Sequence, residues 1–64
     1  MIVNGVENHS PTPRSVAELL DDMGVSTRGI AVAVNGEIVR RSSWRETNIQ
    51  PEDRVEIVTA VAGG

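Results

Sequence analysis

Apolar residues along this chain recur at two spacings, and the switch between them divides the sequence into elements. Near the start, "MIVNGVENH" sets Ile2-Val3 and Val6 on either side of Asn4-Gly5. Both turn residues tolerate positive φ, so the stretch predicts a hairpin with a two-residue loop. "NHSPTP" interrupts the pattern with two prolines. In "SVAELLDDMG" the period lengthens: Val16, Leu19, Leu20 and Met23 fall at i, i+3, i+4 and i+7 and line one face of a helix. Ser15 followed by Glu18 is a capping box, and Gly24 suits a left-handed residue just past the last turn. A start at Thr12, with Pro13 in the first turn, is the competing boundary. Asp21 and Asp22 stand at the end of the helix dipole that disfavours anions.

Period two then returns. "GIAVAVNGEIVR" predicts a second hairpin about Asn35-Gly36, whose first strand alternates Ile30, Val32 and Val34 with Ala31 and Ala33. The branched side of such a strand is buried, and another surface can approach its alanine side closely. Ser43 with Glu46 predicts a capped single turn holding Trp44, "QPED" a reverse turn, and "RVEIVTAV" a last strand with Val55, Ile57, Thr59 and Val61 on one face. A lone helix after a hairpin must cross one face of the sheet to bury its stripe. The crossover rule then makes the first and last strands a parallel pair. The expected fold class is α+β, a ubiquitin-like β-grasp with a mixed sheet of four to five strands and one main helix. The domain is expected over residues 1–61, followed by a flexible tail at 62–64.

Composition narrows the function. With 64 residues and 39% apolar content the chain supports one small core and no deep catalytic cavity. There is no cysteine and His9 is the single histidine, so thiol nucleophiles, metal-site spacing and a Ser/His/Asp arrangement are all missing. No metal is expected, and a conventional enzyme is disfavoured. Nine acidic residues against six arginines and no lysine give a net charge of −3, opposite to a nucleic-acid-binding footprint. It does suit docking on a basic patch of a protein. No leader or membrane-spanning stretch is visible, and a cytoplasmic location is expected.

"VEIVTAVAGG" ends on two glycines directly after strand pattern. A pair of terminal glycines is usually a frayed end. Its other reading is a thin arm presenting a carboxylate to another protein. Four stretches bear on that choice: "VNG", "SVAELLDDMGV", "GIAVAVNGEIVRRSSW" and "DRVEIVTAVAGG", which together cover most of the chain. In them the chain resembles the sulfur carrier proteins of thiamine biosynthesis. "AVAVNGE" followed by Trp44 and a "DRVEIV…GG" ending is the specific part of the likeness. Arg40 stands where members often carry proline.

The resemblance implies that the reacting group is the carboxylate of Gly64, with Gly63 and Ala62 as the tail behind it. A separate E1-like adenylating enzyme would join it to AMP from ATP. A sulfur donor protein would convert the acyl-adenylate to a thiocarboxylate, and thiazole synthase would take the sulfur. No cofactor is expected on the chain itself; ATP is used by the partner. The chain has no glycine-rich phosphate cradle and no cysteine, as suits a carrier that borrows both chemistries. Glycine passes a narrow channel and accepts backbone angles closed to other residues.

Ala31, Ala33, Val58 and Ala60 are the candidate docking residues, on the sheet face away from the helix; a lightly packed but buried second face is the competing reading. Trp44 is read as a packing residue, His9 as a surface residue, and Arg40, Arg41 and Arg45 as a solvated basic run. Two other functions remain open at this level: a related carrier, such as the small subunit of molybdopterin synthase or one for another sulfur metabolite, and a β-grasp binding module with an inert tail.

Overall fold

A computed structural model describes residues 1–59. The first hairpin forms as its turn chemistry requires, with β1 (Ile2–Val3) antiparallel to β2 (Val6–Glu7) and Asn4 and Gly5 both at positive φ. The second pairs β4 (Ile30–Val34) with β5 (Glu37–Val39) about Asn35-Gly36, again both at positive φ. Between them runs α1 (Val16–Met23), and the chain returns as β7 (Arg54–Thr59). The sheet has five strands in the order β2-β1-β7-β4-β5. β7 lies in the middle, parallel to β1 and antiparallel to β4. The expected mixed sheet with one helix, and the expected parallel contact of first and last strands, are what the chain forms.

The helix begins at Ser15 and not at Thr12. Ser15 Oγ accepts from the Glu18 amide at 3.0 Å and Glu18 Oε1 accepts from the Ser15 amide at 2.8 Å, so the capping box is complete. Gly24 closes the other end in the left-handed conformation, donating to the Asp21 carbonyl at 3.1 Å. Arg14 and Ser15 are extended because they form β3 (Arg14–Ser15), paired with β6 (Asn48–Ile49) in a separate two-stranded sheet. Neither strand is expected from the sequence, because two-residue strands carry no periodicity.

The segment before β6 satisfies the remaining orphan donors of the helix start. Val16 donates to the Thr47 carbonyl at 2.9 Å and Ala17 to the Trp44 carbonyl at 3.1 Å. The short turn also differs from expectation: it is a 3₁₀ turn over Arg41–Ser43, with Trp44 at its end and no side-chain cap. Ser43 and Glu46 meet through the backbone, the Glu46 amide donating to the Ser43 carbonyl at 3.0 Å, while Thr47 Oγ1 donates to that same carbonyl at 2.8 Å. The Glu46 amide that a Ser43 side-chain cap would need is thus already bonded to the Ser43 carbonyl, and the predicted Ser43–Glu46 capping box is absent.

The core is one cluster under the helix. Val16, Leu19 and Leu20 pack with Met1, Val3, Val32, Trp44, Ile49 and Val55, all buried. Met23 ends the helical stripe at the rim, 39% exposed. Arg14 and Asp22 form an ion pair, which gives Asp22 a partner at the dipole's unfavourable end.

Candidate functional site

Strand alternation assigns the two faces of the sheet. Val3, Val32 and Val55 face the helix, whereas Arg54, Glu56 and Val58 of β7 face away with Ala31, Ala33 and Ile38. In the register, Ala31 stands opposite Val58, and Ala33 lies between Glu56 and Ile38. Among the described residues no element lies over this second face. Ala31 and Ala33 are half-buried by their neighbours, Val58 is 57% exposed and Ile38 71%. The buried-second-face reading is therefore corrected, because the single helix is spent on the other side. Ile38 belongs to the patch and was missed; "EIV" signals a strand without saying which face its isoleucine takes.

Of the predicted site residues, Ala31, Ala33 and Val58 come together on this face. Ala60, Val61, Ala62, Gly63 and Gly64 lie outside the described residues. What the structure gives is the strand that leads to them, since β7 is the central strand and Thr59, the last described residue, pairs with Ile30. The inner face thins towards that end: Val55 is buried, Ile57 partly so, and Thr59 exposed.

The remaining singled-out residues have structural roles. Trp44 is 6% exposed, and its Nε1 donates to the Val39 carbonyl at 3.0 Å. Arg41 lies over its ring, 5.7 Å from the centroid, and donates to Thr27 Oγ1 at 3.3 Å. Arg40, Arg45 and His9 are exposed. Arg40 has φ −63° and ψ 145°, the backbone a proline would adopt, so the substitution keeps the local path. Among the described residues no group of acidic or histidine side chains is arranged to hold a metal, and no helix is long and apolar enough to cross a membrane.

Two asparagines do more than turn the chain. Asn4 Oδ1 accepts from the Ile57 amide at 2.7 Å and its Nδ2 donates to the Ile57 carbonyl at 3.1 Å. Asn35 Oδ1 accepts from the Arg54 amide at 3.0 Å, and its Nδ2 donates to Asp53 Oδ1, also at 3.0 Å. Both side chains thus bind β7. The only sequence signal was asparagine, in place of glycine or aspartate, at the first turn position.

The ThiS family matches residues 2–64. The chain belongs to this family of sulfur carriers of thiamine biosynthesis. It is 33% identical over 51 residues to the sulfur carrier protein ThiS of Escherichia coli, covering 80% of this chain and 77% of that one. It is also 36% identical over all 64 residues to a thiazole synthase of Paramagnetospirillum magneticum, of whose length it spans only 20%. The crystal structure of a thiamine biosynthesis protein (ThiS) from Geobacter metallireducens superposes with a TM-score of 0.83 at 29% identity, over 98% of this chain and 96% of that one. As a ThiS-family member the chain is a carrier, not a catalyst, and its partners belong to the thiamine pathway.

Proposed function

We propose that the carboxylate of Gly64 is the group that carries sulfur. The observation that supports this is the placement of β7: the central strand of the sheet is the element directly before the run that ends Ala62-Gly63-Gly64. An α-carboxylate is ionised at neutral pH and nucleophilic, yet it has no leaving group that sulfur could displace. An E1-like adenylating enzyme supplies one. A carboxylate oxygen attacks the α-phosphorus of ATP, the bond to pyrophosphate breaks, and an acyl-adenylate forms. A sulfur donor protein then delivers sulfur at the oxidation level of hydrosulfide to the carbonyl carbon. The bond to AMP breaks, AMP leaves with its electron pair, and a thiocarboxylate remains on Gly64. Splitting one hard substitution into two easier ones is the gain from covalent activation.

Thiazole synthase is the acceptor in this reading, supported by the thiazole synthase relative that matches the whole chain over a fifth of its own length. ATP stays on the adenylating enzyme and the chain binds no cofactor of its own. ATP use fits a cytoplasmic location. The adenylating enzyme docks on the face formed by Ala31, Ala33 and Val58; Ala60, the fourth candidate from the sequence, lies outside the described residues. Small residues there let a partner backbone approach closely. That contact offsets the ordering of the tail, which costs ~1–2 kcal/mol per residue fixed.

The test is covalent. Incubated with the adenylating enzyme, ATP and the sulfur donor, the chain should gain the mass of one oxygen replaced by sulfur, and fragmentation should place it on Gly64. A chain ending at Gly63 should give no product, because its carboxylate is drawn back by ~3.5 Å. Misplacement on that scale can reduce rates by orders of magnitude. Equal thiolation of both chains would defeat the positional argument. No thiolation of either by a competent enzyme set would leave a β-grasp module with an inert tail.

A further inference from the structure

We infer that Asn4 is a positioning residue for the tail: its side-chain amide replaces the strand that β1 no longer supplies and holds β7 on line where it heads towards Gly64. This rests on the carrier function proposed above.

β1 pairs with β7 only at Ile2–Arg54 and Val3–Val55, then turns away through Asn4-Gly5. β7 runs on to Thr59, with β4 still paired on its other side. At this point Asn4 makes three contacts with β7. Its amide donates to the Val55 carbonyl at 2.9 Å, and its side chain binds both the amide and the carbonyl of Ile57. A carboxamide has the donor and acceptor of a peptide group, so the side chain continues the ladder by one residue. Alternatives do one job only. Glycine accepts the φ of 51° at this position but has no side chain. Aspartate tolerates that φ and can accept from the Ile57 amide, but it sets a carboxylate against the Ile57 carbonyl.

The consequence is leverage. Gly64 is seven residues beyond Ile57. Once the enzyme orders the tail in an extended form, that stretch spans at most ~23–25 Å, and a ~10° tilt of the strand at Ile57 on the docked body then shifts its far end by ~4 Å. That is about the one-residue error that the shortened tail would suffer. A body that docks normally but aims its tail loosely loses rate in the chemical step and keeps its affinity.

The experiment compares the full-length chain with Asn4→Gly, Asn4→Asp and Asn35→Gly. Each is given the adenylating enzyme and ATP; pyrophosphate release yields kcat, and the dissociation constant for the enzyme is measured separately. Amide exchange at Ile57 reports whether the clamp has opened. Asn4→Gly should free the Ile57 amide and lower kcat by about tenfold, with the dissociation constant within about twofold. Asn35→Gly loosens the entry to the same strand at Arg54 and should leave kcat within about twofold, since β4 and β1 hold the strand beyond it.

Unchanged kcat with a freed Ile57 amide would overturn the inference. So would equal losses in Asn4→Gly and Asn35→Gly, or losses that only track the unfolded fraction, because the asparagine would then serve stability alone. Should Asn4→Gly fail to fold, Asn4→Asp decides: it keeps an acceptor for the Ile57 amide and loses the donor to the Ile57 carbonyl. Its kcat should fall with the dissociation constant within about twofold, and an unchanged kcat would overturn the inference. If the unaltered chain releases no pyrophosphate with an enzyme active on its own carrier, the carrier function fails and this inference with it. That outcome is distinct from an unaltered chain that turns over no faster than Asn4→Gly.

Discussion

Trp44 shows how one residue joins separate parts of a core too small for redundancy. Its ring is buried with Val16, Leu19 and Ile49, its Nε1 is bonded to Val39, and its carbonyl accepts from Ala17 at the helix start. Trp44→Ala should therefore destabilise the domain by ~3–5 kcal/mol, the range for deleting a buried large aromatic. That is comparable to the whole stability of a domain this size. Trp44→Phe keeps most of the apolar contact and leaves the Val39 carbonyl without its donor, at about 1 kcal/mol. Urea unfolding separates the two. A loss below about 1 kcal/mol for Trp44→Ala would show that the ring only shields the core from water.

At the scale of elements, α1 is held at its start more than by its own eight residues. A helix this short is marginal alone. It forms because Ser15 and Glu18 cap each other and because Thr47 and Trp44 carbonyls accept from Val16 and Ala17. Ser15 is itself buried, so its hydroxyl cannot be replaced by water. Ser15→Ala should cost ~1–2 kcal/mol, the upper half of the range for lost N-caps. Glu18→Gln, which retains an acceptor for the Ser15 amide, should cost under ~1 kcal/mol. Thermal unfolding followed by circular dichroism reads both, and equal losses would mean that the charge of Glu18 matters more than its geometry.

Across the whole molecule, the two faces of the sheet divide the work. One is filled by α1; the other leaves Ala31, Ala33, Val58 and Ile38 at the surface around the central strand. Ala33→Arg sets a long cation in the middle of that face, beside Glu56. It should leave the unfolding midpoint nearly unchanged, as for a surface site. Binding to the adenylating enzyme should weaken by about tenfold or more, the scale for disturbing the centre of an interface. Calorimetric titration would show it, and unchanged affinity would move the docking site off this face.

What the sequence determined by itself is local chemistry and period. Asn-Gly turns, the Ser15–Glu18 box and the spacing of Val16, Leu19 and Leu20 act between near neighbours, so both hairpins and the helix were legible. Their order also implied the parallel pairing of the first and last strands, since one helix can cover only one face and crossovers have one hand. That the last strand is central came from the structure. Tertiary structure decided whatever depends on which groups meet across the chain. The 3₁₀ turn formed without the expected Ser43–Glu46 cap, because the helix start draws the Trp44 and Thr47 carbonyls to itself. β3 and β6 exist only through each other, and Ile49 of β6 is buried by packing in the core under the helix. The clamp of Asn4 on Ile57 joins residues 53 apart in sequence, and no spacing rule reaches so far. Local propensity is written residue by residue; a long-range contact requires the fold to bring its two halves together.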